Sequence, residues 1–351
     1  MISGRCQTQR PILFLENDML KRESGVDLFR CLGLLFVTGL HAFLYNGFYS
    51  EAQGLGLWPA NTMRWLFSGC NGMFMLMTGY LKGTKPVDRR FYRGLLTVLM
   101  SYALVFTVSL PVRYLLLNEK DGWTVWLQRF FTFEGYAWYV EMYIGLMLLA
   151  LFVNPALTQM QSRRGILLLA GSMVLLTALP SLTPAHILPD YWSSLYPLTY
   201  YVLGASIRRL DLRIPPIACL LGAALTASLM GLLSSLTAPP GTFTNGFAQG
   251  GFGGYLTTVM VTLLFLGVYR LSIPEQAAKG LAWLSGGVFE GYLTSRLFDV
   301  WVYDLVPFWH KPECYPLIFL CITIPVFLCS ACIGKAVHKL AVTITKHIPL
   351  A

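Results

Sequence analysis

Apolar residues in this chain form long runs that are separated by short polar connections. A run of about 20 apolar residues is long enough to cross a bilayer as an α-helix. Such runs predict about ten transmembrane helices, at residues 26–48, 60–81, 93–117, 137–153, 165–184, 192–208, 214–237, 247–271, 281–305 and 315–341. The pattern therefore predicts an all-α, polytopic membrane bundle with no separate second domain.

Lys and Arg residues are unevenly distributed over the connections between these runs. Nineteen of the 26 lie on one side of the predicted bundle and four on the other, while three lie within spans. Because positively charged connections stay in the cytoplasm, the bias predicts that both termini are cytoplasmic. We accordingly predict a cytoplasmic N-terminal segment at 1–25, a transmembrane domain at 26–341 and a cytoplasmic tail at 342–351.

The composition agrees with a membrane protein. Of the 351 residues 55% are hydrophobic and 12% are charged, whereas soluble domains carry about 25% charged residues. The net charge of +9 follows from the cytoplasmic connections, so it indicates a lipid bilayer as the partner and no nucleic acid. Residues 1–20 lack a continuous apolar stretch, and we expect the first span to act as an uncleaved insertion signal.

Within the first run, Arg30 and His41 are eleven residues apart. Eleven residues make about three helical turns, so both side chains share one face, roughly 16 Å apart along the axis. A charged residue and a proton-transfer residue are costly inside a membrane unless they face protein or water. Two simpler explanations stay open. Asp27 and Arg30 could form a local ion pair, and His41 could be only an interhelical hydrogen-bonding residue.

Further polar residues fall within predicted spans. At about 1.5 Å per residue, three of them reach the depth of His41 in the outer half of the membrane: Arg64, Glu141 and Arg296. Glu141 could pair with either arginine to hold the bundle together. Glu290, near the middle of the ninth predicted helix, is six residues from Arg296 and does not share its face. We therefore expect Glu290 and Arg296 to have different partners.

Five segments carry short motifs in a recognisable order. They are Arg30-X10-His41 with Asp27 just before it, 73–81, 89–93, 137–143 and 289–293. Together they resemble the opening Arg-X10-His motif, the Phe-Phe-x-x-Ser-Gly-Tyr/Phe-Leu element, the Arg-rich segment, the Leu-Trp-Tyr/Phe-Leu element and the late Phe-Gly-Ile-Tyr-Leu-x-His element of the acyltransferase 3 family of membrane acyltransferases. The resemblance extends over nearly the whole chain. It departs at the late histidine, which is Ser295 here, and at Glu290, which replaces a small residue.

The resemblance implies transfer of an acyl group, usually acetyl, from acetyl-CoA or another acyl-CoA to a hydroxyl or an amine. The implied acceptor is a cell-surface glycan or a lipid-linked envelope precursor, and the implied location is the plasma (inner) membrane of a bacterium. His41 would be the catalytic residue. The donor-binding residues would be Arg30, Arg89, Arg90 and Arg93. We expect no metal, because the pair Cys329-Ser-Ala-Cys332, which has redox-motif spacing, lies in a predicted membrane helix without a second Cys or His pair.

These implied roles suggest a course for the reaction. The arginines would hold the donor phosphates at the cytoplasmic mouth. His41 would act as general base on the acceptor hydroxyl or as a transient acyl carrier, and Glu141 would orient the imidazole or stabilise its charged form. Donors to the developing oxyanion would be Asn71, Thr78 or Tyr80. The remaining candidates for substrate binding are Trp138, Arg64, Glu290 and Arg296.

Two functions of other classes compete with this reading. A transporter or flippase of a lipid-linked sugar or small anion also uses intramembrane Arg, Glu and His, but the sequence shows neither an inverted repeat nor interrupted helices in matching positions. A binding or sensory membrane protein without chemistry would leave the alignment of Arg30 and His41 unused. Binding or hydrolysis of acetyl-CoA by the purified protein would distinguish the enzyme from both.

Overall fold

The computed structural model of this protein describes residues 23–45, 48, 54–116, 118–133, 137–181, 187–237, 251–303 and 319–348, without the side chains at 90, 116, 300, 301 and 320. Most of the predicted N-terminal segment, the end of the predicted tail and parts of the predicted spans, 315–318 among them, lie outside these residues.

The regular structure in the described residues is helical, with no strand among them. The α-helices are α1 (Ser24–Tyr45), α2 (Trp58–Ser68), α3 (Cys70–Lys82), α4 (Arg89–Leu116), α5 (Trp123–Phe131), α6 (Trp138–Gln159), α7 (Arg163–Ala178), α8 (Tyr196–Leu210), α9 (Pro216–Thr237), α10 (Tyr255–Val268), α11 (Glu275–Ser285), α12 (Val288–Val302) and α13 (Ile324–Lys346). The predicted all-helical class is confirmed.

Each of the ten predicted spans coincides with one or two of these helices. Six helices of the described part are long and apolar enough to cross a membrane: α1, α4, α6, α7, α9 and α13. The helix α10 is also apolar but shorter. The number of ten spans and the cytoplasmic placement of the termini stay predictions.

Glycines interrupt two of the predicted spans. The second span is divided at Gly69 into α2 and α3, and the ninth is divided at Gly286 and Gly287 into α11 and α12. A Cβ at Gly287 would overlap the backbone of Lys335 in α13, so this close approach of two helices requires glycine. As a result Glu290 lies in the first turn of α12, and our placement of it near the middle of a helix is corrected.

These interruptions also change one argument about function. The sequence showed no pair of interrupted helices in matching positions, which argued against a transporter. The described structure contains two, at Gly69 and at Gly286–Gly287. Because the sequence did not reveal these interruptions, it does not separate the two functions by this feature, and the decision rests on the site and on the family.

The helix α1 lies at the centre of the described bundle. It contacts α2, α3, α10, α11, α12 and α13, and its side chains Phe29, Leu34 and Phe43 are fully buried. Polar residues on α1 therefore face other helices, as polar groups in a membrane protein must. The outer helices α6 and α9 instead expose large apolar side chains, Phe152 and Leu225 among them, which suit contact with lipid.

The helices α3 and α8 approach each other through glycine. A Cβ at Gly79 would overlap the backbone carbonyl of Tyr201, and a Cβ at Gly204 would overlap that of Leu76. Small residues at such a crossing let two helix backbones come into contact. The crossing fixes the depth and rotation of α3, which forms one wall of the cavity described below.

Candidate active site

His41 forms a short contact with a buried carboxylate. Its Nδ1 atom lies 2.5 Å from Oδ2 of Asp299 on α12, and Asp299 is fully buried while the His41 side chain is 22% exposed. A carboxylate at Nδ1 fixes the imidazole so that Nδ1 carries a proton and Nε2 is left as the basic nitrogen. This is the arrangement of a histidine that is oriented for proton transfer.

Further contacts surround the pair of His41 and Asp299. The hydroxyl of Tyr303 donates to the backbone carbonyl of Thr38 over 3.1 Å. The ring of Tyr45 lies edge-on to the His41 ring, with 5.8 Å between the ring centres. Arg296 interacts electrostatically with both Tyr45 and Asp299. The C-terminal end of α1 therefore carries a compact polar cluster around His41.

Sequence reasoning had chosen a different carboxylate for His41. We expected Glu141 to orient the imidazole, but Glu141 is exposed on α6, while Asp299 occupies the position at Nδ1. Counted along the ninth predicted span, Asp299 falls in the outer half of the membrane as Glu141 does, and depth alone does not say which face of a helix turns inward. Asp299 lies four residues, about one helical turn, after Ser295, where the late motif has its histidine, and this spacing was the signal that could have found it.

A cavity of about 420 Å³ opens between α1, α3, α4, α6, α12 and α13. At the end predicted to be cytoplasmic it is lined by Arg30, Lys82 and Gly94. The opposite end of the cavity, deep in the bundle, is its inner end. It is lined by Val37, Asn71, Tyr139 and Tyr292. Val37 lies four residues before His41, which is about 6 Å along α1. The cavity thus leads from the charged end toward the His41–Asp299 pair.

Asn71, at the inner end of the cavity, has a buried hydrogen-bond donor that is not used by any described residue. It is 6% exposed, and its Nδ2 atom has no hydrogen-bond partner among the described residues. A buried amide donor without a partner costs about 1–3 kcal/mol. A ligand with a carbonyl oxygen in the cavity would satisfy it.

The other two predicted oxyanion donors are differently engaged. Thr78 lines the cavity, and its hydroxyl donates to the Phe74 backbone carbonyl over 2.7 Å. The hydroxyl of Tyr80 donates to Glu23 over 2.8 Å, and the guanidinium of Arg208 lies 4.9 Å from the centre of its ring. Tyr80 therefore belongs to a contact at the start of α1, away from the inner end of the cavity.

Arg30 lines the cavity and also forms the local ion pair that was one of our alternatives. Its Nη1 atom lies 3.7 Å from Oδ1 of Asp27. The same Asp27 oxygen accepts a hydrogen bond of 2.7 Å from Ser285, and Asp27 is 2% exposed. The ion pair is confirmed, and it leaves Arg30 facing the cavity.

The arginines at the start of α4 lie beside the cavity mouth. Arg89 and Arg93 are exposed, and the side chain at position 90 is outside the described part. Gly94 and Thr97, the next residue and the next turn after Arg93, both line the cavity. A ligand that protrudes from the mouth would meet the exposed arginines.

Glu290 lines the same cavity and is 3% exposed. Its Oε1 atom accepts a hydrogen bond of 2.7 Å from Ser101 and lies 2.8 Å from Nδ1 of His338. Arg296 instead faces Asp299 and Tyr45. The expectation that Glu290 and Arg296 have different partners is therefore confirmed.

The two remaining candidates lie outside the described cavity lining. The Trp138 ring stacks on Phe252, with 5.9 Å between the ring centres. The guanidinium of Arg64 lies 5.0 Å from the ring centre of Trp65. The described residues also hold no group of three or more His, Cys, Asp or Glu side chains that could bind a metal ion.

A family model for an acyltransferase domain, that of the acyltransferase 3 family, matches residues 23–335. The chain belongs to the acyltransferase 3 family. The resemblance seen in the short motifs is therefore confirmed, and the chain is a membrane acyltransferase. Both His41 and Asp299 lie within the matched acyltransferase 3 domain. No curated protein and no solved structure matches the chain.

Proposed function

We propose that this acyltransferase 3 protein moves an acyl group, acetyl in the first instance, from cytoplasmic acyl-CoA to a hydroxyl of an envelope glycan or its lipid-linked precursor outside the membrane. The observation that carries the proposal is the 2.5 Å contact between His41 Nδ1 and buried Asp299, about one helical turn beyond a cavity that Arg30 lines. The cavity has a cation, Arg30, at one end and an oriented base, His41, near the other. This arrangement suits acyl-CoA, which carries phosphates at one end and the reactive thioester at the other.

The donor enters from the side that carries the positive charge. Arg30 at the cavity and Arg89 and Arg93 beside its mouth bind its phosphate groups, for which guanidinium geometry is well suited. The apolar walls of the cavity, with Val37, Phe74 and Met77 among them, accept the thin arm that carries the thioester. The thioester carbon then reaches the level of Asn71 and His41.

His41 acts as the general base in the transfer. Its Nε2 takes the proton of the acceptor hydroxyl as the hydroxyl oxygen forms a bond to the thioester carbon. The carboxylate of Asp299 stabilises the imidazolium that forms. When the carbon–sulfur bond breaks, the imidazolium returns the proton to the leaving thiolate, so that the products are the acyl ester and free CoA.

Asn71 is the donor to the oxyanion of the tetrahedral intermediate. Its buried Nδ2 has no partner in the described residues, and it lines the inner end of the cavity. A donor of this kind, positioned before the reaction, accelerates acyl transfer by about 10²–10³-fold. The unused amide thus has a role in the transition state.

The acceptor approaches from the opposite side. In the predicted orientation His41 lies in the outer half of the membrane, so a glycan hydroxyl reaches it from outside while the donor stays in the cavity. The residues at that level, Tyr45 and Arg296, are polar and close to His41 and Asp299. They form the surface that the acceptor would meet.

Transfer across a sealed membrane tests this function. Protein reconstituted in liposomes receives labelled acetyl-CoA on one side and candidate glycans on the other, with mass spectrometry of the glycans as the readout. We expect labelled glycan only with donor on the Arg30 side. Protein that moves an unmodified glycan or lipid-linked sugar across the membrane without acylating it would contradict the proposal and support a flippase.

A covalent intermediate is the alternative course of the same reaction. If His41 carries the acyl group transiently, protein incubated with acetyl-CoA alone and quenched rapidly shows one acetyl group on the peptide that contains His41. With His41 as general base, that peptide stays unmodified.

A further inference from the structure

Lys82, the last residue of α3, is a cation that lines the cavity and has no role in the proposed reaction. Its side chain lines the cavity, and its Nζ atom donates to the hydroxyl of Tyr143 over 3.0 Å. The same atom lies 4.9 Å from the centre of the Phe91 ring. In the sequence it counted only among the positive residues that set the orientation of the chain.

No carboxylate of the described residues lies within ion-pairing distance of Lys82 Nζ. The acid of the cavity, Glu290, already accepts from Ser101 and contacts His338, and Asp27 is paired with Arg30. A half-buried ammonium without a counter-charge loses hydration that its neighbours only partly replace. An anionic group of a ligand would compensate for that loss.

Lys82 also lies at the level where the donor phosphates are needed. The helices α1 and α3 are antiparallel, since Gly33 faces Phe74 while Tyr80, later in α3, contacts Glu23, just before α1. Arg30 is eleven residues from His41, and Lys82 is eleven residues from Asn71. Each interval spans about 16 Å at 1.5 Å per residue. Two antiparallel helices thus place a cation at one end of the cavity and a reacting group toward the other.

We propose that Lys82 binds a phosphate group of the acyl-CoA donor, on the wall of the cavity formed by α3, while Arg30 binds on the wall formed by α1. The inference rests on the proposed function, because the ligand is its donor. The phosphate oxygens supply the counter-charge that Lys82 lacks. Tyr143 and Phe91 hold the ammonium in place.

Binding of CoA and of pantetheine, the thiol-bearing arm of CoA without its phosphates and adenosine, tests this role in the full-length, detergent-solubilised protein. Lys82→Met should weaken CoA binding by about tenfold to a hundredfold, the effect of one charge-assisted hydrogen bond, and leave pantetheine binding unchanged. Lys82→Arg should keep most of the CoA affinity because it keeps the charge. Lys85→Met is the matched control, since Lys85 is exposed three residues later and is absent from the described cavity lining.

A second variant displaces the ammonium without removing it. A Cβ at Gly94 would come within 2.9 Å of Lys82 Nζ, so Gly94→Ala moves that atom by adding one methyl group. We expect weaker CoA binding and unchanged pantetheine binding. This variant keeps the test valid if Lys82→Met fails to fold.

Several results would overturn the inference. Unchanged CoA affinity in both Lys82→Met and Gly94→Ala would do so. Equal losses for CoA and pantetheine would also do so, because Lys82 would then shape the cavity without contacting phosphate. Wild-type protein that binds neither compound would overturn the proposed donor as well, whereas normal wild-type binding with unaffected variants overturns the role of Lys82 alone.

Discussion

The contact between His41 and Asp299 makes Asp299→Asn the most informative single substitution. Asparagine has nearly the same shape as aspartate, so the fully buried position keeps its packing. The substitution removes the negative charge that lies 2.5 Å from Nδ1. It also lets an amide NH2 face Nδ1, which would place the imidazole proton on Nε2, the nitrogen that must accept the proton of the acceptor.

The expected loss of rate follows from these two effects. A hydrogen bond to a charged group contributes about 1.5–3 kcal/mol, which corresponds to roughly 10- to 150-fold in rate at 1.36 kcal/mol per factor of ten. The wrong tautomer adds to this, and the same substitution in serine proteases lowers kcat by about 10⁴-fold. We therefore expect kcat for acyl transfer to fall by about 10²–10⁴-fold. Donor affinity should stay within about threefold, because Asp299 is not part of the described cavity lining.

The assay measures CoA release and acyl-acceptor formation at saturating donor, together with the Kd for CoA. Glu141→Gln is the matched control, since it neutralises an exposed carboxylate and should leave kcat unchanged. The reasoning is refuted if Asp299→Asn keeps kcat within about threefold of wild type, or if it weakens CoA binding while kcat is preserved. If kcat falls in Glu141→Gln and not in Asp299→Asn, Glu141 is the carboxylate that orients His41, as the sequence predicted.

Three further substitutions test other parts of the account. Arg30→Ala should weaken CoA binding about tenfold with kcat at saturating donor largely preserved; an unchanged Kd by calorimetry would exclude Arg30 from the donor site. Asn71→Leu should lower kcat by about 10²–10³-fold and leave the Kd for CoA within a few fold, so a wild-type kcat would remove Asn71 from the transition state. Gly79→Ala should lower the thermal unfolding midpoint in detergent, because its Cβ would overlap the Tyr201 carbonyl. Gly145→Ala, whose Cβ meets no atom within 4 Å, is its control and should unfold at or above the wild-type midpoint.

The sequence predicted the helices well because apolar runs of membrane length are a strong signal. All ten predicted runs coincide with helices of the structure. The interruptions at Gly69 and at Gly286–Gly287 were missed, since glycine also occurs within intact membrane helices and only the packing shows where one ends. The helix α5 (Trp123–Phe131) was missed because nine residues are too few for a span.

The sequence predicted only part of the candidate site, and the reason is physical. Arg30 and His41 lie on one helix, and helical periodicity alone relates them. The partner of His41 lies on a helix that is more than 250 residues away in sequence, and depth along the membrane could not distinguish Asp299 from Glu141. Rotation of a helix about its axis depends on packing, here on contacts such as that between Tyr303 and Thr38. The role proposed for Lys82 was not evident from the sequence, because membrane orientation already explained its positive charge.

The central claim is that His41 takes the proton of the acceptor hydroxyl and passes it to the CoA thiolate that leaves the bound acyl-CoA. Its most direct test is His41→Ala in purified, reconstituted protein, with CoA affinity and acyl transfer measured on the same sample. We predict CoA binding close to that of wild type and transfer reduced to background. Transfer at the wild-type rate by a folded His41→Ala protein would contradict the account.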